Sequence, residues 1–252
     1  MTAATALDSW IVFRKPNPQA RLRLFCFPYA GTGAALFRAW PDGLPADVEV
    51  CPIQFPGRGT RLTEAPFTHL SLLVQALVPV LGPLLNKPFA FFGHSLGALV
   101  GFELARELRR RFGVQPARLF VSAAHAPQIP ARHRPIHALP DLEFLEELRR
   151  LNGTPEELLE HAELMQIMLP ILRADFAVYE TYAYSPEPPL TCCVSGLGGL
   201  QDRRVSRDDL DGWREQTEAS FSLRMFPGAH FFLNTDQQML LEGLAEDLRG
   251  DG

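Results

Sequence analysis

Pro88-Phe-Ala-Phe-Phe-Gly-His-Ser-Leu-Gly-Ala98 is the stretch whose reading decides the fold. An apolar strand, Phe89 to Phe92, runs through Gly93-His94-Ser95-Leu96-Gly97 straight into a helical pattern, which is the G-x-S-x-G nucleophile elbow. A serine there needs a sharp strand-to-helix turn to lift its hydroxyl clear of the sheet, and Gly93 and Gly97 supply positions where no Cβ obstructs the turn. Negative charge developing beside it meets backbone N–H groups at a helix N-terminus. Five residues with three fixed positions recur by chance, so the surrounding pattern has to carry the reading.

That pattern is alternation. Arg21-Leu-Arg-Leu-Phe-Cys-Phe27 reads as a strand that begins half-buried and ends apolar, running into the small loop Pro28-Tyr-Ala-Gly-Thr-Gly-Ala34. This is where a second oxyanion donor belongs. Gly31-Thr-Gly33-Ala-Ala-Leu36 lacks the third glycine of a dinucleotide cradle, so phosphate binding is set aside. Val48 to Phe55 is a second strand, followed by Pro56-Gly-Arg-Gly-Thr-Arg61, a tight β-to-α connection with solvated arginines. Leu70 to Leu85 is helical with Pro79 kinking or ending a turn. After Ser95, Leu96 to Phe112 has helical spacing, Arg109-Arg-Arg111 in its last turn and Gly113 beyond, which explains the arginines by the helix dipole alone. Leu119 to Ala123, Thr191 to Leu197 and Ser222 to Phe226 are further strands, and a closing helix spans Asp236 to Leu248. Alternating strands and helices imply an α/β fold with a mostly parallel sheet flanked by helices.

From Pro127 to Pro189 the rhythm breaks. Leu142, Leu145, Leu148 and Leu151 recur every third residue, Thr154-Pro-Glu-Glu157 has the form of a capping box, and Leu164 to Tyr184 is apolar and interrupted by Pro170. Residues 127–189 are read as an inserted helical lid over a greasy pocket, within one domain covering 1–252.

Composition sets limits. At 252 residues with 46% hydrophobic content the chain can bury a large core, and a net charge of −5 argues against a general nucleic-acid or anionic-membrane surface. Met1 to Asp8 carries no basic and then apolar leader, and nowhere do eighteen apolar residues run together, so a cytoplasmic setting is expected. Cys26, Cys51, Cys192 and Cys193 lack C-x-x-C spacing and read as reduced, packed thiols. No His, Asp or Glu cluster has metal-ligand spacing, so neither a metal nor a cofactor is expected.

In an α/β-hydrolase the partners of the serine follow in the order acid, then histidine, each after a core strand. Of seven histidines only His230, in the loop Pro227-Gly-Ala-His230, is in place; His94, beside the serine, should point elsewhere. Asp202 follows a strand and a Gly-Gly turn, whereas Asp208, Asp209 and Asp211 read as the start of a solvated helix and Asp175 in the insertion is the competitor. The chemistry expected is acyl transfer from Ser95, with His230 as base, Asp202 orienting it, and the N–H groups of Ala30 and Leu96 holding the oxyanion.

With these residues in view, the chain resembles the discrete type II thioesterases of nonribosomal peptide and polyketide synthesis, and more distantly the medium-chain acyl-carrier-protein thioesterases. The likeness rests on Phe27-Pro-Tyr-Ala-Gly31, Pro56-Gly-Arg-Gly-Thr-Arg61, Gly93-His-Ser-Leu-Gly97, Leu169-Pro-Ile-Leu-Arg-Ala-Asp175 with Tyr179-Glu180, and Gly228-Ala-His-Phe-Phe232. Thr32 stands where a second glycine is common, Cys193 where proline is usual, and Leu200-Gln201 where the approach to the acid is more polar. The resemblance implies hydrolysis of acyl groups from the phosphopantetheine arms of carrier proteins, editing stalled or misprimed synthases; chain release, or another serine esterase activity on the same fold, is the alternative. It matches Ser95, Asp202 and His230 to the family triad and Ala30 and Leu96 to its oxyanion donors. Acyl or peptidyl carrier proteins are the implied partners of a monomer, and because they are typically acidic, Arg132-His-Arg134 and Arg203-Arg204 are given a possible docking role.

Overall fold

A computed structural model describes residues 3–130, 132–151, 153 and 156–250, with residues 3–6 as backbone alone. Six strands, β1 (Leu22–Phe27), β2 (Val48–Pro52), β3 (Phe89–His94), β4 (Arg118–Ser122), β5 (Cys193–Gly199) and β6 (Phe221–Phe226), form one sheet in the order β2-β1-β3-β4-β5-β6. Every neighbouring pair is parallel. The chain therefore reverses its direction of travel across the sheet between β1 and β3, where Phe27 pairs with Gly93. In open parallel sheets that crevice, outside the carboxyl ends of the strands, is where ligands bind.

Strand β3 is buried along its whole length because both of its faces meet a core. Phe89 and Phe91 point to one side and pack edge-on against Phe25 and Phe27. Phe92 points to the other and meets Phe37 and Trp40. The apolar run continues two residues further than its composition predicts, through Gly93 and His94. Arg23 in β1 is not half-exposed as expected; it is buried and donates to the equally buried Glu49 of β2 at 3.1 Å.

The flanking helices are α1 (Ala3–Trp10), which the sequence reading did not foresee, α2 (Leu70–Leu81), α3 (Leu96–Phe112), α4 (Asp141–Leu151), α5 (Glu156–Leu159), α6 (Ala162–Glu180), α7 (Arg207–Asp211), α8 (Phe232–Thr235) and α9 (Gln237–Arg249). Pro79 and Pro170 interrupt neither α2 nor α6. An internal proline costs about 3 kcal/mol. Around it α2 buries Leu77, Val78, Val80 and Leu81, and α6 buries Ile171, Leu172, Ala174 and Val178; at roughly 1.5–3 kcal/mol for each large apolar side chain, that burial outweighs it.

Helices α4, α5 and α6 occupy the interval between β4 and β5 and share a small core of Ile136, Phe144, Leu148, Leu159, Met165 and Leu172. The leucine stripe of α4 is only partly buried, since Leu148 is in that core while Leu142 is 78% exposed. Of the capping box, Thr154 and Pro155 lie outside the described residues; α5 begins at Glu156. Arg109 at the end of α3 does more than face the helix dipole: it donates to the carbonyls of Pro188 and Pro189 at 2.7 and 2.9 Å, pinning the chain where it returns to the sheet. No helix among the described residues is long and apolar enough to cross a membrane.

The β3-to-α3 turn closes only because two residues lack a side chain. A Cβ on Gly93 would lie 2.1 Å from the Gly97 carbonyl oxygen, and one on Gly97 would lie 2.1 Å from that of Phe27. Both obstacles are backbone atoms that cannot rotate away. Gly97→Ala should therefore lower unfolding free energy by about 3 kcal/mol or more, whereas Gly101→Ala on the same helix, with nothing nearer than 3.5 Å to the added methyl, should be neutral or stabilise by up to about 1 kcal/mol. Urea denaturation of both variants checks the contrast.

Candidate active site

Ser95 is held between β3 and α3 at φ 52°, ψ −115°, a left-handed conformation that L side chains rarely adopt. Its N–H donates to the carbonyl of Ser122 in β4 at 2.8 Å, and its own carbonyl accepts from Ala98 at 3.0 Å. The side chain lines a cavity of roughly 660 Å³ at the carboxyl end of the sheet. Leu96, as the first residue of α3, has no intrahelical acceptor for its N–H.

Across the crevice, the β1 loop turns tightly. Thr32 N–H donates to the Tyr29 carbonyl at 3.1 Å, and Gly31 takes φ 79°, the value the third position of a type II turn requires. Thr32 closes the same turn with its hydroxyl, which donates to the Tyr29 carbonyl at 2.8 Å. The N–H of Ala30, at the second position, has no acceptor among the described residues. The loop and the elbow thus leave two unpaired donors, Ala30 and Leu96, lining the same cavity as Ser95.

His230 follows β6, and its Nδ1 lies 2.8 Å from Asp202 Oδ2. Asp202 sits in the turn after β5, where its Oδ1 accepts from the N–H groups of Arg204 and Val205 at 2.8 and 3.2 Å. Burial pushes this carboxyl up, but the hydrogen bond and charge of His230 and the two backbone donors outweigh it and hold it below the usual carboxylate range. A carboxylate in that state only accepts, so Nδ1 of His230 carries the proton and Nε2 is left as the basic nitrogen. The two loops are stitched together by backbone: Leu200 N–H donates to Phe226 and Gln201 N–H to Gly228, at 2.8 and 2.9 Å. The less polar Leu200-Gln201 approach therefore leaves the acid anchored. His230 and Ser95 line one cavity with Leu148, Leu172, Phe176 and Trp213.

The structure thus places Ser95, Asp202, His230, Ala30 and Leu96 around one crevice and separates Asp175 from it. Asp175 is 3% exposed and spends both oxygens on Arg58, at 2.6 and 2.7 Å. Two expectations are corrected here. Arg58 and Arg61 are not solvated but each 6% exposed, Arg61 lying over the Trp10 ring at 4.0 Å and donating to Glu64 at 2.8 Å. Asp209 is not on a solvated turn but 3% exposed, caps α7 with Ser206 in a reciprocal box, and pairs with Arg132 at 2.8 Å. The Ser206-x-x-Asp209 spacing was the signal that reading missed.

His94 turns away from the cavity as expected. It is fully buried, its Nδ1 lies 2.9 Å from the Ser122 hydroxyl, and its ring meets that of His230 edge-on at 5.4 Å. Burial, reinforced by the charge of His230, keeps it well below the ordinary histidine range and hence neutral. The four cysteines are free; burial pushes the thiol of Cys26 well up and those of Cys51 and Cys192 to about 12, which removes them as nucleophiles. Among the described residues no three His, Cys, Asp or Glu side chains converge closely enough to hold a metal ion.

A neutral buried His94 has a definite consequence for acid stability. The unfolded chain binds a proton there below about pH 6.5 while the folded chain does not, so stability falls as pH drops through that value. Between pH 7 and pH 5 the wild type should lose about 2 kcal/mol more than His94→Gln, measured as the difference in urea midpoints at constant slope.

Three comparisons bear on the family. A family model described as a thioesterase domain matches residues 22–251. The chain is 47% identical over 249 residues to the gramicidin S biosynthesis protein GrsT of Aneurinibacillus migulanus, covering 99% of this chain and 97% of that one. It is 39% identical over 240 residues to the thioesterase PikA5 of Streptomyces venezuelae, covering 95% and 85% respectively. Among solved structures, the type II thioesterase BorB from the borrelidin biosynthetic cluster superposes with a TM-score of 0.86 at 37% identity, over 95% of this chain and 97% of that one.

Proposed function

The chain belongs to the thioesterase family, and from that membership we propose that it hydrolyses acyl groups from the phosphopantetheine arms of acyl or peptidyl carrier proteins, as an editing enzyme of nonribosomal peptide or polyketide synthesis. The observation that carries the chemistry is the 2.8 Å contact between His230 Nδ1 and Asp202 Oδ2 on the wall of the cavity that Ser95 lines. In this reading His230 Nε2 takes the Ser95 proton, Oγ attacks the thioester carbonyl, and the N–H groups of Ala30 and Leu96 hold the oxyanion. Protonated His230 returns its proton to the departing thiol, and water, activated by the same imidazole, releases the acid.

The helical segment 127–189 serves as the lid. Leu148 of α4 and Leu172 and Phe176 of α6 line the cavity with apolar surface, which suits an acyl chain and has no built-in demand for one functional group. Carrier proteins supply the pantetheine arm, and exposed Arg134 and Arg203 at the cavity lining face the approach. Arg132 is less available for that role because it already pairs with buried Asp209.

Two measurements test the proposal. Ser95→Ala should reduce thioester hydrolysis at least about 10³-fold, and Asp202→Asn should reduce kcat by about 10³–10⁴ by favouring the wrong tautomer; an Ser95→Ala enzyme of wild-type activity refutes the serine mechanism. Replacing Arg134 and Arg203 by glutamine should slow turnover of acyl-carrier protein several-fold while sparing acyl-N-acetylcysteamine, and equal loss on both substrates refutes the docking role. Similar rates across a panel of acyl groups on one carrier protein are expected of an editing enzyme, and a single sharp optimum of a chain-releasing one.

A further inference from the structure

A heavily hydrogen-bonded buried charge pair outside the Ser95 crevice joins two segments that the chemistry described so far leaves idle, the Pro56–Arg61 loop and the Asp175 turn of α6. Asp175 Oδ2 accepts from Arg58 Nη1 at 2.6 Å and from the N–H of Gly31 at 2.7 Å, and Oδ1 accepts from Arg58 Nη2 at 2.7 Å. Arg58 Nη1 also donates to the Thr32 carbonyl at 3.1 Å, and Nε to the Pro56 carbonyl at 3.2 Å. One carboxylate on the inserted helix and one guanidinium on the β2 loop therefore grip the β1 loop at the Gly31 N–H and the Thr32 carbonyl, just after Ala30.

Steric fit reinforces the grip. A Cβ on Gly31 would lie 2.5 Å from Leu172 Cδ2, one turn before Asp175 on the same face of α6, so the turn sits directly against that helix. Gln54 completes the network, its Oε1 accepting from Ala34 N–H at 2.9 Å and its Nε2 donating to the Arg58 carbonyl at 2.8 Å. The bond from Gly31 to Asp175 consumes that amide. It leaves the neighbouring Ala30 N–H as the donor the turn presents to the cavity.

Energetics point the same way. Isolating two charges from water costs several kcal/mol per ion, and an apolar pair of equal volume is often at least as stable. A bidentate pair in which Arg58 also donates to two backbone carbonyls fixes geometry more than it adds stability. What it fixes here is the placement of α6, which walls the cavity, relative to the Ala30 turn that lines the same cavity as Ser95.

We propose that Arg58 and Asp175 are positioning residues for the oxyanion hole, aligning the Ala30 N–H only while α6 is seated on the β1 loop. The inference rests on the thioesterase reading above. When α6 lifts, Gly31 loses its acceptor and the Ala30 amide its orientation, so the hole is complete only over a closed cavity.

The test uses the full-length enzyme, its Asp175→Asn and Arg58→Lys variants, an acyl-N-acetylcysteamine substrate, and two inhibitors. Octylboronic acid takes Ser95 Oγ onto boron, with the proton passing to His230, and so places a tetrahedral anion in the hole; 1-octanol fills the cavity without forming one. In both variants kcat should fall about 10- to 100-fold with KM within about threefold, less than the loss for deleting a donor outright. The inhibition constant for octylboronic acid should rise in parallel, with that for 1-octanol unchanged. Wild-type kcat in a folded variant, or equal weakening of both inhibitors, would overturn the proposal. Loss of fold in both variants would overturn it too, because the pair would then be structural. If the wild type shows no Ser95-dependent hydrolysis, the thioesterase reading itself fails, which the Ser95→Ala control separates from these outcomes.

Discussion

Ser95 is forced into a backbone conformation that a residue with a side chain avoids, φ 52° and ψ −115°, and such strain costs on the order of 1–3 kcal/mol. It persists because its surroundings allow nothing else. Strand β3 is locked between two aromatic cores, Ser95 N–H is tied to β4, and Gly93 and Gly97 let the backbone of the turn approach itself and β1 closer than any Cβ permits. The same constraint that lifts the hydroxyl into the crevice opens α3 with an unpaired amide at Leu96. The β1-to-β3 reversal then brings the Ala30 turn opposite it.

Around that point the charges are sorted by burial and by donor count. Asp202 keeps its negative charge despite desolvation because three N–H donors converge on it. His94, wholly buried and partnered by the Ser122 hydroxyl rather than by a carboxylate, stays neutral because of that burial, so the imidazole of His230 lies between one carboxylate and one uncharged ring. Asp175 is engaged by Arg58 in a buried pair of its own, away from His230. The two carboxylates, Asp202 and Asp175, are thereby committed to different partners by different surroundings, one to a histidine and one to an arginine.

Much of this was legible in the chain because it is local. The apolar run before Gly93, the spacing of the glycines about Ser95, and the loops after β5 and β6 each announce themselves within a few residues, and chain order then selects Asp202 and His230. What was illegible is long-range. Arg58 and Asp175 are 117 residues apart, and nothing in Pro56-Gly-Arg-Gly says that its arginine will be buried rather than solvated. Arg23 reads as half-buried at the start of its strand because periodicity cannot reveal that Glu49 lies on the adjacent strand to pair with it. Pro79 and Pro170 were expected to break helices, and packing of the flanking apolar residues overrode that local preference. Asp209 differs from these cases, since the Ser206-x-x-Asp209 box was present to be read.

In the proposed reaction the strained Ser95 hydroxyl becomes acylated. Rapid acid quenching of the enzyme mixed with an excess of an octanoyl thioester, followed by peptide mass spectrometry, tests it directly. The expected result is a transient octanoyl adduct on the peptide containing Ser95, absent in Ser95→Ala and formed far more slowly in His230→Ala. Release of free octanoate with no adduct at any time, or an adduct on another residue, would contradict it.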